Sequence, residues 1–157
     1  MSSKILVVIF AAIIGLAVTG KRAPPEDRVR VVTTAQGTRE VRIRRSEDGH
    51  FYVHAMVNGQ LVRFLVDTGA TQIALTLEDA ERVGESFSPD GFEVVGSGAS
   101  GPVYGQFIEI DSIELGGREV GNLPGAVVDK LDISLLGQAF LSRARSVQMN
   151  ADEMIIR

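Results

Sequence analysis

The sequence predicts an all-β domain, a small barrel or sandwich with one short helix near the C-terminal end, preceded by an apolar N-terminal segment. Three observations predict it. Short runs rich in β-branched and aromatic residues recur along residues 29–128 at strand-like lengths. Asn58-Gly59 separates two of these runs, and this dipeptide readily takes the positive φ angles of a two-residue hairpin turn. Gly116-Gly117 and Pro124-Gly125 then punctuate the second half at the spacing of small all-β domains. A chain of 157 residues with 45% hydrophobic content can bury one core but not two lobes.

Residues 5–18 are an unbroken run of apolar residues and glycine between Lys4 and Lys21-Arg22, which reads as a membrane segment. As a helix, residues 5–20 would span about 24 Å against a hydrocarbon core of about 30 Å, so the lysines would snorkel or the bilayer would thin. No Ala-x-Ala precedes the polar junction Thr19-Gly20-Lys21-Arg22, which favours an uncleaved signal anchor over a cleaved signal peptide. Basic charge nearly balances across the span and does not encode its orientation. Ala23-Pro24-Pro25-Glu26-Asp27-Arg28 follows as an exposed, stiff linker. The expected organisation is an anchor or signal segment over 1–22, a linker and leading strand over 23–38, and the main domain over 39–157.

From Val29 the chain turns β-like. Val41 and Ile43 alternate with Glu40, Arg42 and Arg44, the pattern of a half-exposed edge strand whose charges discourage further pairing. Arg39, Arg42, Arg44 and Arg45 form a basic stretch that reads first as a solvated strand face and second as a contact with anionic lipid. Residues 51–57 and 61–66 make the clearest hairpin, around Asn58-Gly59. Residues 76–84 predict a short helix, with Thr76 as N-cap, Glu78 and Asp79 in the first turn and Gly84 as stop. Residues 92–95 and 103–110 predict strands joined by a glycine-rich tip, and 113–115, Val120 and 126–128 continue as short strands. Leu135-Leu136-Gly137 leads into a helix over 138–144, and residues 154–156 close the chain as a strand.

The tip Gly96-Ser97-Gly98-Ala99-Ser100-Gly101 matches the G-x-G-x-x-G spacing of dinucleotide sites, but the context is wrong. That fingerprint needs a helix N-terminus facing the pyrophosphate, whereas residues 102–108 read as strand and no βαβ unit surrounds them. The functional reading is a mobile flap whose glycines let a hairpin tip fold over a ligand, and the simple one is a flexible loop. Composition removes other classes. The formal charge of -4 includes Lys4, Lys21 and Arg22, and the remainder carries 13 basic against 20 acidic residues, which disfavours nucleic acid. Without cysteine there is no disulfide, zinc-thiolate site or thiol nucleophile, and His50 and His54 cannot build a metal site alone. No cofactor is expected, and His54, in an alternating strand, is assigned no role.

Phe64-Leu65-Val66-Asp67-Thr68-Gly69-Ala70 drives an apolar β-type run into a lone carboxylate and then turns on Thr-Gly. A carboxylate at the end of a buried strand is costly to ionise unless hydrogen bonds or a shared proton hold it, which marks Asp67 as a candidate working group. An Asp-Thr-Gly tripeptide alone is also a common turn. Here it follows a hairpin and precedes a glycine-tipped hairpin and then Leu135-Leu136-Gly137.

That order resembles the retropepsin-like aspartic proteases, in particular their bacterial membrane-anchored branch. Gly49-His50-Phe51, Val57-Asn58-Gly59, residues 64–71, Ile113-Glu114-Leu115-Gly116-Gly117 and residues 135–141 carry the resemblance, which covers most of residues 39–157. It implies a small closed β-barrel in which the apolar-apolar-Gly segment passes beneath the Asp-Thr-Gly loop, together with an N-terminal anchor and a periplasmic domain. Acid proteolysis uses two carboxylates sharing one proton, and this sequence holds a single Asp-Thr-Gly with no second D-[ST]-G. The expectation is therefore a homodimer with Asp67 of each chain across a twofold axis, activating water against a polypeptide substrate. By resemblance, Thr68 ties the two loops together, Gly69 binds substrate through its backbone, Ala70 and Leu65 shape the central pockets, and Gly96, Ser97 and Gly98 close over the substrate. Retroviral enzymes follow these two motifs with an acid and an arginine that pair, whereas Thr71 and Gln138 stand here, so both halves of that pair are absent together. The alternative reading is a retropepsin-like peptide-binding or scaffold module without chemistry.

Overall fold

A computed structural model describes residues 29–98 and 101–157 of the chain. The anchor over 1–22, the linker up to residue 28, and Ala99 and Ser100 at the flap tip lie outside the described residues. Among the described residues no helix is long and apolar enough to cross a membrane.

The central hairpin forms as its alternation demands. In β3 (Tyr52–Val57) and β4 (Gln60–Val66), Val53, Ala55, Val57, Val62, Phe64 and Val66 point inward and are buried, while His54 and Arg63 sit opposite each other on the exposed face. Asn58 and Gly59 take φ of 47° and 79°, the left-handed pair that a type I′ turn needs. β5 (Ile73–Leu75) then leads into α1 (Leu77–Arg82), whose N-cap Thr76 accepts from the Asp79 N–H at 3.1 Å. After a 3-10 turn at Pro89–Gly91 come β6 (Glu93–Gly98), β7 (Gly101–Leu115) and β8 (Arg118–Val128). β9 (Ser134–Leu136) precedes α2 (Gln138–Leu141).

These strands make a seven-stranded sheet in the order β3-β4-β9-β5-β8-β7-β6, and β7 also returns to β3 through Met56↔Glu114 and Val57↔Ile113. A second sheet joins β1 (Val29–Thr33), β2 (Arg39–Arg44), β11 (Glu153–Ile156) and β10 (Val147–Met149) in the order β1-β2-β11-β10. Its inward residues Val41, Ile43, Met154 and Ile156 join Phe64, Ile73, Leu75, Ile110 and Leu136 in one buried apolar cluster. Among the described residues the fold is mostly β with two short α-helices.

Three expectations need correction. β2 is not an edge strand: it lies between β1 and β11, with Arg42 opposite both Arg30 and Ile155. Its charges do not block pairing, because they satisfy one another across strands. Glu40, only 4% exposed, takes Arg42 at 2.7 Å and Arg157 at 2.6 Å, and Arg42 also reaches Glu153 at 3.0 Å. Second, the short strands expected at 103–110 and 113–115 are one strand, β7, and Val120 and 126–128 belong to one strand, β8. Polar Ser112 does not interrupt β7, since its N–H and C=O are both taken by Asn58, through the side-chain Oδ1 at 3.1 Å and the backbone N–H at 3.0 Å. Third, the helix expected over 138–144 stops at Leu141, where Phe140 and Leu141 enter the core and the chain continues in tighter turns.

Hydrogen bonds from Arg157, and then from Arg42, hold the Glu40 carboxyl below its usual range despite the opposing effect of burial. A carboxylate with a depressed folded-state pKa stabilises the fold above its unfolded value of 4.5, and that contribution is lost as pH falls through the folded value. Glu40→Gln should therefore lower the melting temperature at pH 7, and the gap to the native chain should close as melts are taken progressively below pH 4.5. A gap that stays constant across that range would refute the role of the Glu40 ion pairs with Arg157 and Arg42.

Candidate active site

Phe64 and Val66 of β4 face the core, so the chain reaches Asp67 with its backbone already fixed by pairing. β9 runs parallel to β4 through Phe64↔Ser134, Leu65↔Leu135 and Val66↔Leu136, and antiparallel to β5 through Ala74↔Leu135. The strand entering the Asp67 loop and the strand leaving it therefore flank β9 on opposite sides. The Leu136 carbonyl accepts the Asp67 N–H at 3.1 Å.

Within the loop, Asp67 Oδ1 accepts the Gly69 N–H at 2.8 Å and the Asp67 carbonyl accepts the Ala70 N–H at 3.3 Å, the local bonding by which a short acid closes a turn. Asp67 is half-buried, while Thr68 and Gly69 are exposed. Its Oδ2 takes no hydrogen bond among the described residues. One carboxylate oxygen is thus held by the turn and the other is available to a proton or a water.

Gly137 supports this loop from below. A Cβ there would overlap Gln72 O and lie 2.6 Å from Ala70 O, so only glycine lets β9 run this close to the loop backbone. Gln138 fastens the other side: its N–H donates to Ala70 O at 2.7 Å and its side-chain Nε2 donates to Thr68 O at 2.9 Å, while the Ala139 N–H donates to Thr71 O at 2.9 Å. The amide of Gln138 braces the loop through a neutral hydrogen bond, and Thr71 needs no charge.

Sequence reasoning missed a buried polar cluster one step further out. Ser134, fully buried at the start of β9, donates through Oγ to Asp79 Oδ2 and accepts the Thr76 N–H at 3.1 Å. Asp79, 8% exposed, is also ion-paired to Arg82, which donates to Leu61 O at 2.6 Å. The N-terminal turn of α1 is thereby tied to β9, and through Arg82 to β4. A capping-box reading places Asp79 only in the first turn of α1, and no local pattern reveals its partner 55 residues away.

Ala70 is fully buried in a second apolar cluster with Ala74, Val95, Ala126, Val128 and Leu135, and Leu65, Val103 and Leu131 pack against it. Val95 adjoins Gly96, which is buried and pairs with Val103, so the root of the glycine-rich hairpin meets the same cluster as Leu65 and Ala70. Ser97 is exposed and Gly98 pairs with Gly101. The structure thus gathers Leu65, Ala70 and the root of the glycine-rich hairpin at one aliphatic patch, with Asp67 in the chain between Leu65 and Ala70. Such a site can transfer a proton beside an apolar surface, and a single chain supplies one carboxylate from its Asp-Thr-Gly loop.

A family model described as "gag-polyprotein putative aspartyl protease" matches residues 53–143. The chain is 37% identical over 132 residues to an uncharacterized protein in a cobV 5′ region of Sinorhizobium sp, covering 83% of this chain and 57% of that one. It is 39% identical over 118 residues to an uncharacterized protein of Rickettsia prowazekii (strain Madrid E), covering 74% and 51% respectively. The chain spans about half the length of the curated relatives it matches. Among solved structures, a retropepsin-like aspartic protease from Rickettsia conorii aligns with a TM-score of 0.63 at 34% identity, covering 82% of this chain and 90% of that one. EIAV protease complexed with the inhibitor HBY-793 aligns with a TM-score of 0.51 at 20% identity over 62% of this chain and 90% of that one, a likeness of fold alone.

Gly137→Ala should destabilise by roughly 1–3 kcal/mol or more, because the added methyl meets backbone rather than a side chain that can move. Ser134→Ala should cost about 1–3 kcal/mol by removing a donor from the buried Asp79 carboxylate. Urea unfolding midpoints check both, and native-like midpoints would show that β9 is not held as described.

Proposed function

The chain belongs to the retropepsin-like aspartic protease family, and from that membership we propose that it is an aspartic endopeptidase whose catalytic group is Asp67. The observation that carries the reading is the bracing of the Asp67 loop by Leu136, Gly137 and Gln138, with one carboxylate oxygen held by the Gly69 N–H and the other without a hydrogen bond among the described residues. Catalytic carboxylates need that rigidity, since a loosely held acid spends little time in the reactive geometry.

One loop provides half of the chemistry. Two like carboxylates close together cannot both ionise, so a facing pair shares one proton and divides the roles of base and acid. The proposed assembly is a homodimer with Asp67 of each chain across a twofold axis, and the exposure of Thr68 and Gly69 supports it by leaving that loop free to meet its copy. The ionised carboxylate takes a proton from water as the water oxygen bonds to the scissile carbonyl carbon, and the protonated one gives its proton to the carbonyl oxygen. The resulting gem-diol collapses when a proton passes to the amide nitrogen and the C–N bond breaks, which frees an acid and an amine.

The substrate is an extended polypeptide bound beside the aliphatic patch, with Leu65 and Ala70 shaping the pockets, Gly69 presenting backbone groups and Gly96, Ser97 and Gly98 closing from the hairpin. The apolar run at 5–18 would hold the domain at a membrane, with its protease part on the periplasmic side. Confinement there would raise the effective concentration of chains and favour pairing.

Asp67→Asn in the full chain, carried in detergent micelles, should lower cleavage of a mixed peptide library at mildly acidic pH by about 10²–10⁴-fold without changing the melting temperature or sedimentation. Undiminished turnover in that variant would overturn the proposal. A native chain that sediments as a monomer and cleaves nothing would favour a peptide-binding module that keeps the fold without chemistry.

A further inference from the structure

The outer face of the central hairpin continues from the aliphatic patch along β4. Leu65 packs against that patch, and strand alternation puts Arg63 and Leu61 on the same side of β4. Their partners on β3 share this face, as Tyr52↔Leu65, His54↔Arg63 and Met56↔Leu61. None of the six is acidic, and the carboxylate nearest the turn end, Glu114, stands opposite Met56. Arg63 and His54 are exposed, and Arg63 enters no ion pair among the described residues.

The Arg63 guanidinium is nonetheless held in place. It lies 4.4 Å from the centre of the Tyr52 ring, and the Tyr52 hydroxyl donates to Asp48 Oδ2 at 2.7 Å. Asp48 Oδ1 in turn accepts the His50 N–H at 3.0 Å. Burial and the Asp48 carboxylate push the Tyr52 hydroxyl up to about 12, so it stays a neutral donor. Stacking uses the flat of a guanidinium and leaves its N–H edges to a planar acceptor. A cation fixed in advance loses less freedom when it meets an anion.

We propose that Arg63 is a specificity-determining residue that pairs with an aspartate or glutamate side chain of the bound polypeptide, with the His54 ring as a second donor and Tyr52 as the positioning residue. With Asp67 as the catalytic group, on which this assignment rests, the peptide is apolar where it crosses Leu65 and Ala70 and acidic further out. Guanidinium edges match a carboxylate in geometry as well as charge. Arg63 precedes Asp67 by four residues in an extended strand, about 13 Å at roughly 3.3 Å per residue. An extended substrate covers that distance in about four residues, which places the acid about three to five residues from the cleaved bond. A terminal carboxylate carries the same charge, and amidated peptides separate the two sources.

Two readouts on the full chain in detergent micelles test the assignment and the catalytic reading separately. Products cut from an amidated mixed peptide library should carry Asp or Glu at those positions about threefold more often than the library does. The enrichment should vanish in Arg63→Gln, fall in Tyr52→Leu, and pass to Lys and Arg in Arg63→Glu, a reversal that a structural role would not produce. Arg44→Gln, on the outer sheet, should keep the native enrichment. In Asp67→Asn, fluorescence anisotropy of fluorescein-labelled Glu-Ala-Ala-Leu-Leu-Ala-Ala-Glu amide should show binding about threefold tighter than that of its Gln counterpart, a difference that shrinks at high salt. Absence of cleavage with this Glu preference kept would remove the catalytic reading and leave Arg63 its role. Cleavage without acid enrichment, enrichment that survives Arg63→Glu, equal or absent binding of the Glu and Gln peptides, or a Gln peptide that matches the Glu peptide once its terminal carboxylate is freed would each overturn the proposal.

Discussion

The three residues of β9, held between β4 and β5, are the constraint on which the rest of this fold depends. β4 enters the Asp67 loop and β5 leaves it, and without a strand between them that loop would have no backbone partners beneath it. The Leu136 carbonyl fixes the Asp67 N–H, Gly137 passes under the loop where no side chain fits, and Gln138 takes hold of Ala70 and Thr68. Buried backbone groups must find partners, and here one short strand supplies them for the segment that carries the proposed chemistry.

Polar groups secure β9 in turn, and they do so without leaving a charge stranded. Ser134 anchors its first residue to Asp79, and Arg82 neutralises that carboxylate while reaching back to β4. At the far end of the same segment, Gln138 holds the loop through neutral hydrogen bonds to Thr68 O and Ala70 O, which place no charge beneath it. The outer sheet follows a similar logic, with Glu40 shared between Arg42 and Arg157 so that strands rich in charge still pair.

Much of this was legible residue by residue. The Asn58-Gly59 hairpin, the Thr76 cap, the strand status of residues after the glycine-rich tip and the passage of Leu135-Leu136-Gly137 beneath Asp67 follow from local signals or from the family resemblance. The misread elements share a cause. Alternating charge in β2 has the appearance of an edge when its partners, Glu153 and Arg157, lie more than 100 residues away. Ser112 has the appearance of a break until Asn58, 54 residues earlier, completes its hydrogen bonds. The Asp79–Ser134 bond leaves no trace in any window of neighbouring residues.

By itself, the sequence determined that the described chain would be mostly β and that Asp67 would close a buried strand on an Asp-Thr-Gly turn, because backbone preference and side-chain alternation act over a few residues, while the family was legible only through the resemblance of its motifs to the retropepsin-like proteases. Tertiary structure alone decided that β2 is interior and that Ser134 braces β9 through Asp79. Those outcomes depend on which distant donors and acceptors remain free once the sheets have formed, and hydrogen-bond satisfaction is settled across the whole fold.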